Sequence, residues 1–284
     1  VNHIFVEGPS SPVITAVAHT TYGPANSNSV PVTVNNVVPT PSSITWLSSS
    51  INENQVASAS LTISDPGTQD TFSVQVNWGE GTPDVLSLGL TNSSGTVGGT
   101  TYTWTAATRA LALSHQYLDD NPTGTPSDTY TLTVKVADDD MTGNFAGTLG
   151  VDYVQTTANL TVNNVAPTAV AYSLPASVNE GSLATINITG QTDVGTLDTF
   201  SYSYVVKKND STVATSGGFI GSNSFNFTPD DMDPGFTWTV EVQAKDDDGG
   251  LSPVNVQTLN VVDVAPTVNI VSLTSPINEN TSTT

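Results

Sequence analysis

Val34–Thr40 reads VNNVVPT, Val162–Thr168 reads VNNVAPT and Val261–Thr267 reads VVDVAPT. Eleven or twelve residues after each proline comes an echo: INEN at Ile51–Asn54, VNEG at Val178–Gly181 and INEN at Ile277–Asn280. Two unrelated signals held at one offset through three copies mark an array of modules. The prolines concerned are Pro39, Pro167 and Pro266. Between them, residues 39–166 and 167–265 are each long enough to enclose one core. Residues 1–38 hold only the C-terminal part of a module, and 266–284 only the opening strand and echo of a further one. The chain therefore reads as an excerpt from a longer array.

Composition narrows the chemistry. There are 26 acidic and five basic residues, a formal net charge of −21. Nucleic acid and anionic membrane are poor partners for such a chain, because phosphate binding needs clustered Lys and Arg. The basic residues are Arg109, Lys135, Lys207, Lys208 and Lys245, so most carboxylates have no salt-bridge partner to find. They are solvated, repel one another or bind cations. There is no cysteine, which removes disulfides and thiolate metal sites. No apolar run is long enough for a membrane-spanning helix.

Strand patterns dominate. Ala59–Ser64, Thr71–Trp78 and Tyr130–Val136 alternate apolar and polar residues, as do Phe200–Val206, Ser224–Phe227 and Trp238–Ala244. Turn clusters such as DPGTQD at 65–70, GEGTPD at 79–84 and DDDGG at 246–250 separate them. TAATRALAL at 105–113 is the nearest approach to a helix and reads better as a join between strands. About seven short strands per hundred residues, with regular turns, indicate a β-sandwich, so the expected class is all-β, in tandem. The two full modules align through SDPGTQDTF (64–72) with TDVGTLDTF (192–200), and through Asp138–Asp140 with Asp246–Asp248. The longer module owes its extra length to Val97–Leu113 and to a longer final hairpin, Met141–Thr157.

WGEGTPD (78–84), HQY (115–117), DTYTLTVKVADDD (128–140) and VNNVAPT resemble bacterial PKD-type modules. The resemblance covers most of 39–166 and implies the immunoglobulin-like sandwich. In 167–265, YVVKKND (204–210) stands where the W-G-x-G turn would be and Phe225–Phe227 where H-x-Y would be, so that module resembles a cadherin-like or generic immunoglobulin-like one more than a PKD-type one.

Sandwich topology turns acid spacing into chemistry. The NEN or NEG echo falls at the C-terminal end of its module, with Asp119 and Asp120. The Asp-x-Gly loop and the acidic triplet fall at the N-terminal end. Each joint should gather acids from the module above, the linker and the module below. At the first joint these are Asn36 with Asp65, Asp70, Asp138, Asp139 and Asp140. At the middle joint they are Glu53, Asp119, Asp120 and Asn164, then Asp193, Asp198, Asp246, Asp247 and Asp248. At the last they are Glu180, Asp231, Asp233 and Asp263. Like charge at such density needs a cation, and calcium takes six to eight hard oxygen ligands of this kind. Cadherin joints are similar, with a P-E-N glutamate and a D-x-N-D linker. The bland alternative for each acid is a turn-forming Asp or Asn.

His3 and His115 share one repeat position that Phe225 fills in the next module, which speaks for packing rather than catalysis. G-x-S-x-G, H-E-x-x-H and glycine-rich phosphate loops are absent. Trp104 in the insert is the tryptophan to consider for stacking on a sugar. The expected protein is a non-enzymatic, extracellular array: an adhesin, surface layer or surface filament whose joints calcium stiffens. Its expected partners are neighbouring modules or copies of the same protein, with surface glycan as a further possibility. A glycan- or protein-binding module, or an accessory stretch of a secreted hydrolase, is the alternative.

Overall fold

The structure is a computed structural model, and it describes residues 2–24, 28–230, 235–269 and 279. The expected sites Asp231 and Asp233, and the third echo apart from Glu279, lie outside these residues. The chain forms two compact units. The first comprises 1–166 with 193–198 and 247–250, and the second 167–192, 199–246 and 251–284.

Period-two sequence makes the first unit's sandwich. Phe72–Asn77 buries every other residue, and Ser127–Asp138 does the same over most of its length. Side chains alternate across a strand, so each presents one apolar face. One sheet runs in the order Asp84–Leu88, Phe72–Asn77, Ser127–Asp138, Val154–Asn163, Ser50–Asn52. The other runs Ser93–Val97, Thr100–Thr105, Ala110–Gln116, Val56–Ser64, Thr40–Pro41, with Thr45–Trp46 also paired to Val56–Ser64. Between the two sheets Val74, Val76, Leu111, Leu132, Val134, Val136 and Val162 are completely buried. Each such side chain stabilises the fold by roughly 1.5–3 kcal/mol relative to leaving it exposed.

Most pairs are antiparallel, but Ser50–Asn52 runs parallel to Val154–Asn163, with Ile51 opposite Val162. The start of the echo thus pairs with the start of the next VNNVAPT. Residues 97–113 form strands rather than a helix. Thr100–Thr105 and Ala110–Gln116 are joined by a single 3-10 turn at Ala106–Thr108, which Arg109 closes in the left-handed conformation. Residues 1–38 contribute a hairpin of Val13–Ala16 with Asn28–Pro31, whose residues are all exposed.

The second unit repeats the plan in shorter form. Its sheets are Ala169–Ser173, Ala184–Thr192, Ser224–Phe227 and Ser211–Thr215, Ser201–Lys208, Trp238–Lys245, Asn255–Leu259. Val178–Asn179 again runs parallel, here to Val261–Val262. Tyr204, Val206, Val240, Val242 and Ile186 are completely buried, and Trp238 lies in the core with them.

Candidate metal centre

The echo peptide has a backbone reason for its spelling. Glu53 N–H donates to Asn163 O at 2.9 Å and extends the parallel ladder by one bond. Its Oε1 accepts the Val165 N–H at 2.6 Å. Glu180 does the same in the next module, donating to Val262 O at 3.0 Å and accepting from Val264 N–H at 3.1 Å. Each glutamate therefore latches the linker peptide of its own module, which is why echo and linker travel together. The residue after the glutamate has positive φ: 58° at Asn54 and 74° at Gly181. Glycine and asparagine tolerate that conformation best, so the echo ends in N or G.

The two glutamates part company beyond the latch. Glu53 is fully buried, and its Oε2 has no hydrogen-bond partner among the described residues. Three overlapping sets of carboxylates lie around it: Glu53, Asp193 and Asp198; Glu53, Asp119 and Asp120; and Asp119, Asp198 and Asp248. All six residues belong to the first compact unit. Within each set one oxygen per residue lies within 4.8 Å of the others. Oxygens on opposite sides of a calcium ion at 2.3–2.6 Å stand about 5 Å apart.

Local geometry aims these acids inward. Asp120 is fully buried, and neither carboxylate oxygen meets a donor among the described residues. Instead the Asp248 carboxyl approaches it. Asp119 is tethered by Asn121, whose backbone N–H and side-chain amide both donate to it, at 3.3 and 2.5 Å. The loop Asp193–Asp198 is placed by Thr196 N–H donating to Leu118 O at 3.2 Å. A Cβ on Gly195 would run into the Asp198 carboxylate and lie 2.5 Å from Glu53 Oε2, so a larger residue there would have to displace these carboxylates.

The electrostatics follow from packing acids together away from water. Burial, reinforced by Asp198, Asp120 and Asp193, pushes Glu53 up to about 8 against the pull of the Val165 N–H. Burial and then Asp248 push Asp120 up to about 7. Burial and Asp247 also raise Asp119, which the Asn121 N–H opposes. Buried carboxylates without donors are costly unless protonated or matched by a cation. An all-oxygen donor set of this kind suits a hard cation such as calcium.

A second cluster joins Asp65, Asp70 and Asp138, in line with the expected grouping. Asn36 donates its side-chain amide to both Asp138 oxygens, at 3.3 and 3.1 Å. Burial, then Asp65, raises Asp70 to about 6. The D-x-G-T-x-D spelling recurs with the same geometry. A Cβ on Gly67 would run into the Asp70 carboxylate, and Thr68 N–H donates to Val6 O at 3.1 Å. Arg109 secures this loop, its guanidinium donating to Asp65 O at 2.7 Å and to Gly67 O.

Glu7 was missed by the sequence reading. Its side chain approaches Asp70 and Asp140, and burial followed by Asp70 and Asp139 raises its pKa. Aligning HIFVEG with HQYLDD places Glu7 at Asp119, and Val6 and Leu118 make matching bonds to the two loops.

The remaining expected residues are placed as follows. Asp139 accepts the Thr71 N–H at 3.0 Å, and both it and Asp140 are exposed. Asn164 N–H donates to Pro126 O. Asp246 is buried, Asp247 is exposed with its carbonyl 3.1 Å from where a Gly124 Cβ would lie, and Asp263 is exposed. Trp104 is corrected: it is 2% exposed and its indole N–H donates to Gly89 O at 2.8 Å, so it cannot stack on a sugar. Its apolar face belongs to the core, against Phe72.

No family model matches the chain, and no curated protein matches it. Among solved structures it is similar to the fibronectin(III)-like modules of Clostridium thermocellum CbhA, at 12% identity over 78% of this chain and 94% of that one, TM-score 0.27. A segment of titin is similar at 13% identity over 88% and 75%, TM-score 0.29. The FN1–FN3 domains of chicken CNTN1 follow at 13% over 86% and 73%, TM-score 0.23. No helix among the described residues is long and apolar enough to cross a membrane.

Proposed function

We propose that this chain is a non-enzymatic, extracellular structural array whose acidic clusters hold calcium. The observation that supports it is Glu53 Oε2 together with both oxygens of Asp120: buried, without donors among the described residues, and aimed into one oxygen-lined cluster. Glu53, Asp119, Asp120, Asp193, Asp198 and Asp248 would be the ligands, and the overlap of the three sets leaves room for more than one ion. Bound calcium would supply the positive charge that five basic residues cannot. It would tie loops 193–198 and 247–250 to the module at 39–166 and so restrict bending of the array. The cluster at Asp65, Asp70 and Asp138 would act likewise with Asn36 and Glu7.

The role as a stalk of an adhesin, surface layer or filament, with copies of the same protein as partners, rests on this reading. Calorimetric titration of chelator-treated protein with calcium tests it directly, alongside scattering with and without the ion. Binding should be abolished or cut at least tenfold by Glu53→Gln with Asp120→Asn, and calcium should narrow the spread of solution dimensions. Absence of calcium binding to the wild-type chain would refute the proposal.

A further inference from the structure

Outside the acidic clusters, one ionisable side chain of the first module is held in an arrangement that fixes its charge. His115 sits on Ala110–Gln116 with both ring nitrogens engaged. Nδ1 lies 2.9 Å from Gly99 O, and Nε2 lies 2.7 Å from Glu80 Oε1. Both partners are acceptors only. A neutral imidazole carries one N–H and can serve one of them; only the imidazolium serves both.

The surroundings favour the cation. Trp78 stacks on the ring, centroids 5.1 Å apart with an interplanar angle of 16°. Its π-face attracts positive charge. Tyr117 meets it in a T-shaped contact at 4.9 Å, with Tyr130 4.5 Å from Tyr117. The charged groups facing the ring are Glu80, from the turn after Phe72–Asn77, and Asp84, at the start of Asp84–Leu88. Asp84 is bound into the same network. Its Oδ2 accepts from Gly99 N–H at 3.1 Å and Thr100 Oγ1–H at 2.7 Å, and Thr100 Oγ1 accepts the Trp78 indole N–H at 2.8 Å.

We infer that His115 is held as an imidazolium that locks the turn 79–84 and the turn 98–99 together, making this end of the module a pH-sensitive latch. Burial works against the charge, but the bond to Glu80, the Gly99 carbonyl and Asp84 outweigh it and raise the His115 pKa. The raised value fixes the direction. Stabilisation from the latch is complete below the free-histidine value of about 6.5 and is lost as pH rises through the higher folded value. Deprotonation leaves one acceptor without its donor and two carboxylates facing a neutral ring. The second module carries Phe225 at this position, stacked on Tyr204 at 5.4 Å and 11°, a pair that does not titrate in this range.

The test uses the full chain at constant calcium. Nitrogen-15 spectra of the histidine side chains, assigned with His115→Phe, should show both His115 nitrogens protonated at the acid end of the titration and a midpoint above that of free histidine. Glu80→Gln should move that midpoint down, because Gln still packs but carries no charge. A melting-temperature series from pH 6 to 9 should fall more steeply for wild type than for His115→Phe. A midpoint at or below the free value, or one that Glu80→Gln leaves in place, would overturn the inference even if His115→Phe fails to fold.

Discussion

Glu53 and Glu180 make the same two bonds to their own linkers, yet one is sealed from water and the other is partly exposed. The comparison separates two jobs that the repeated peptide combines. Latching the linker needs one carboxylate oxygen and a turn residue that tolerates positive φ, and both modules provide these. Holding a cation needs the second oxygen to be enclosed with other acids. For Glu53 the structure shows that enclosure. For Glu180, the expected neighbours Asp231 and Asp233 lie outside the described residues.

The largest expected effect breaks the comparison at its centre. A ligand at a hundred times its Kd stabilises the folded state by about 2.7 kcal/mol. Calcium should therefore raise the melting temperature by several degrees, and EDTA should reverse the rise. Glu53→Gln should remove most of this gain, yet leave the metal-free protein at pH 8 no less stable than wild type, since it deletes a buried charge. A Glu53→Gln protein that responds to calcium like wild type would reduce the glutamate to a latch.

The next effect is a dependence on pH in the metal-free chain. Glu53, Asp120 and Asp70 are raised to about 8, 7 and 6. The folded state binds more protons than the unfolded one between the ordinary carboxylate range and these values. Stability should therefore be highest near pH 4 to 5 and fall as pH rises towards 8. Glu53→Gln should flatten the slope more than Glu180→Gln in thermal melts, and equal slopes would erase the distinction drawn above.

Arg109→Ala should cost about 2 kcal/mol by releasing carbonyls from a charged donor, and should weaken calcium binding at the Asp65 cluster while leaving the Glu53 cluster unchanged. Gly195→Ala should do the converse, since its Cβ would crowd Glu53 Oε2 and Asp198. Site-resolved titration by NMR would read both. The smallest effect is expected for Tyr117→Phe, which removes a bond from its hydroxyl to Trp78 O at 2.8 Å and should cost about 1 kcal/mol in denaturant melts.

Sequence pattern carried the sandwich because period-two alternation and turn residues are local signals. The grouping of acids was legible too, since strand direction decides which loops share an end. What escaped depends on where side chains go within that frame. That Glu53 uses one oxygen on Val165 and buries the other cannot be inferred from spacing. Trp104, the insert's tryptophan considered for stacking on a sugar, is turned inward by the period-two alternation of Thr100–Thr105, with Leu111 opposite. Arg109 was visible only as a scarce cation; its role as a loop clamp depends on a left-handed turn that brings it to Asp65 and Gly67.

The parallel pairing of Ser50–Asn52 with Val154–Asn163 has a mechanical consequence. One strand lies near the entry to its module and the other at the exit. A pull along the chain slides them past one another, so the bonds Thr161 N–H to Ser49 O and Glu53 N–H to Asn163 O bear load side-on and together rather than opening one after another. Tension would therefore load the glutamate that also lines the acidic cluster, and on the calcium reading proposed above a bound ion would share that load.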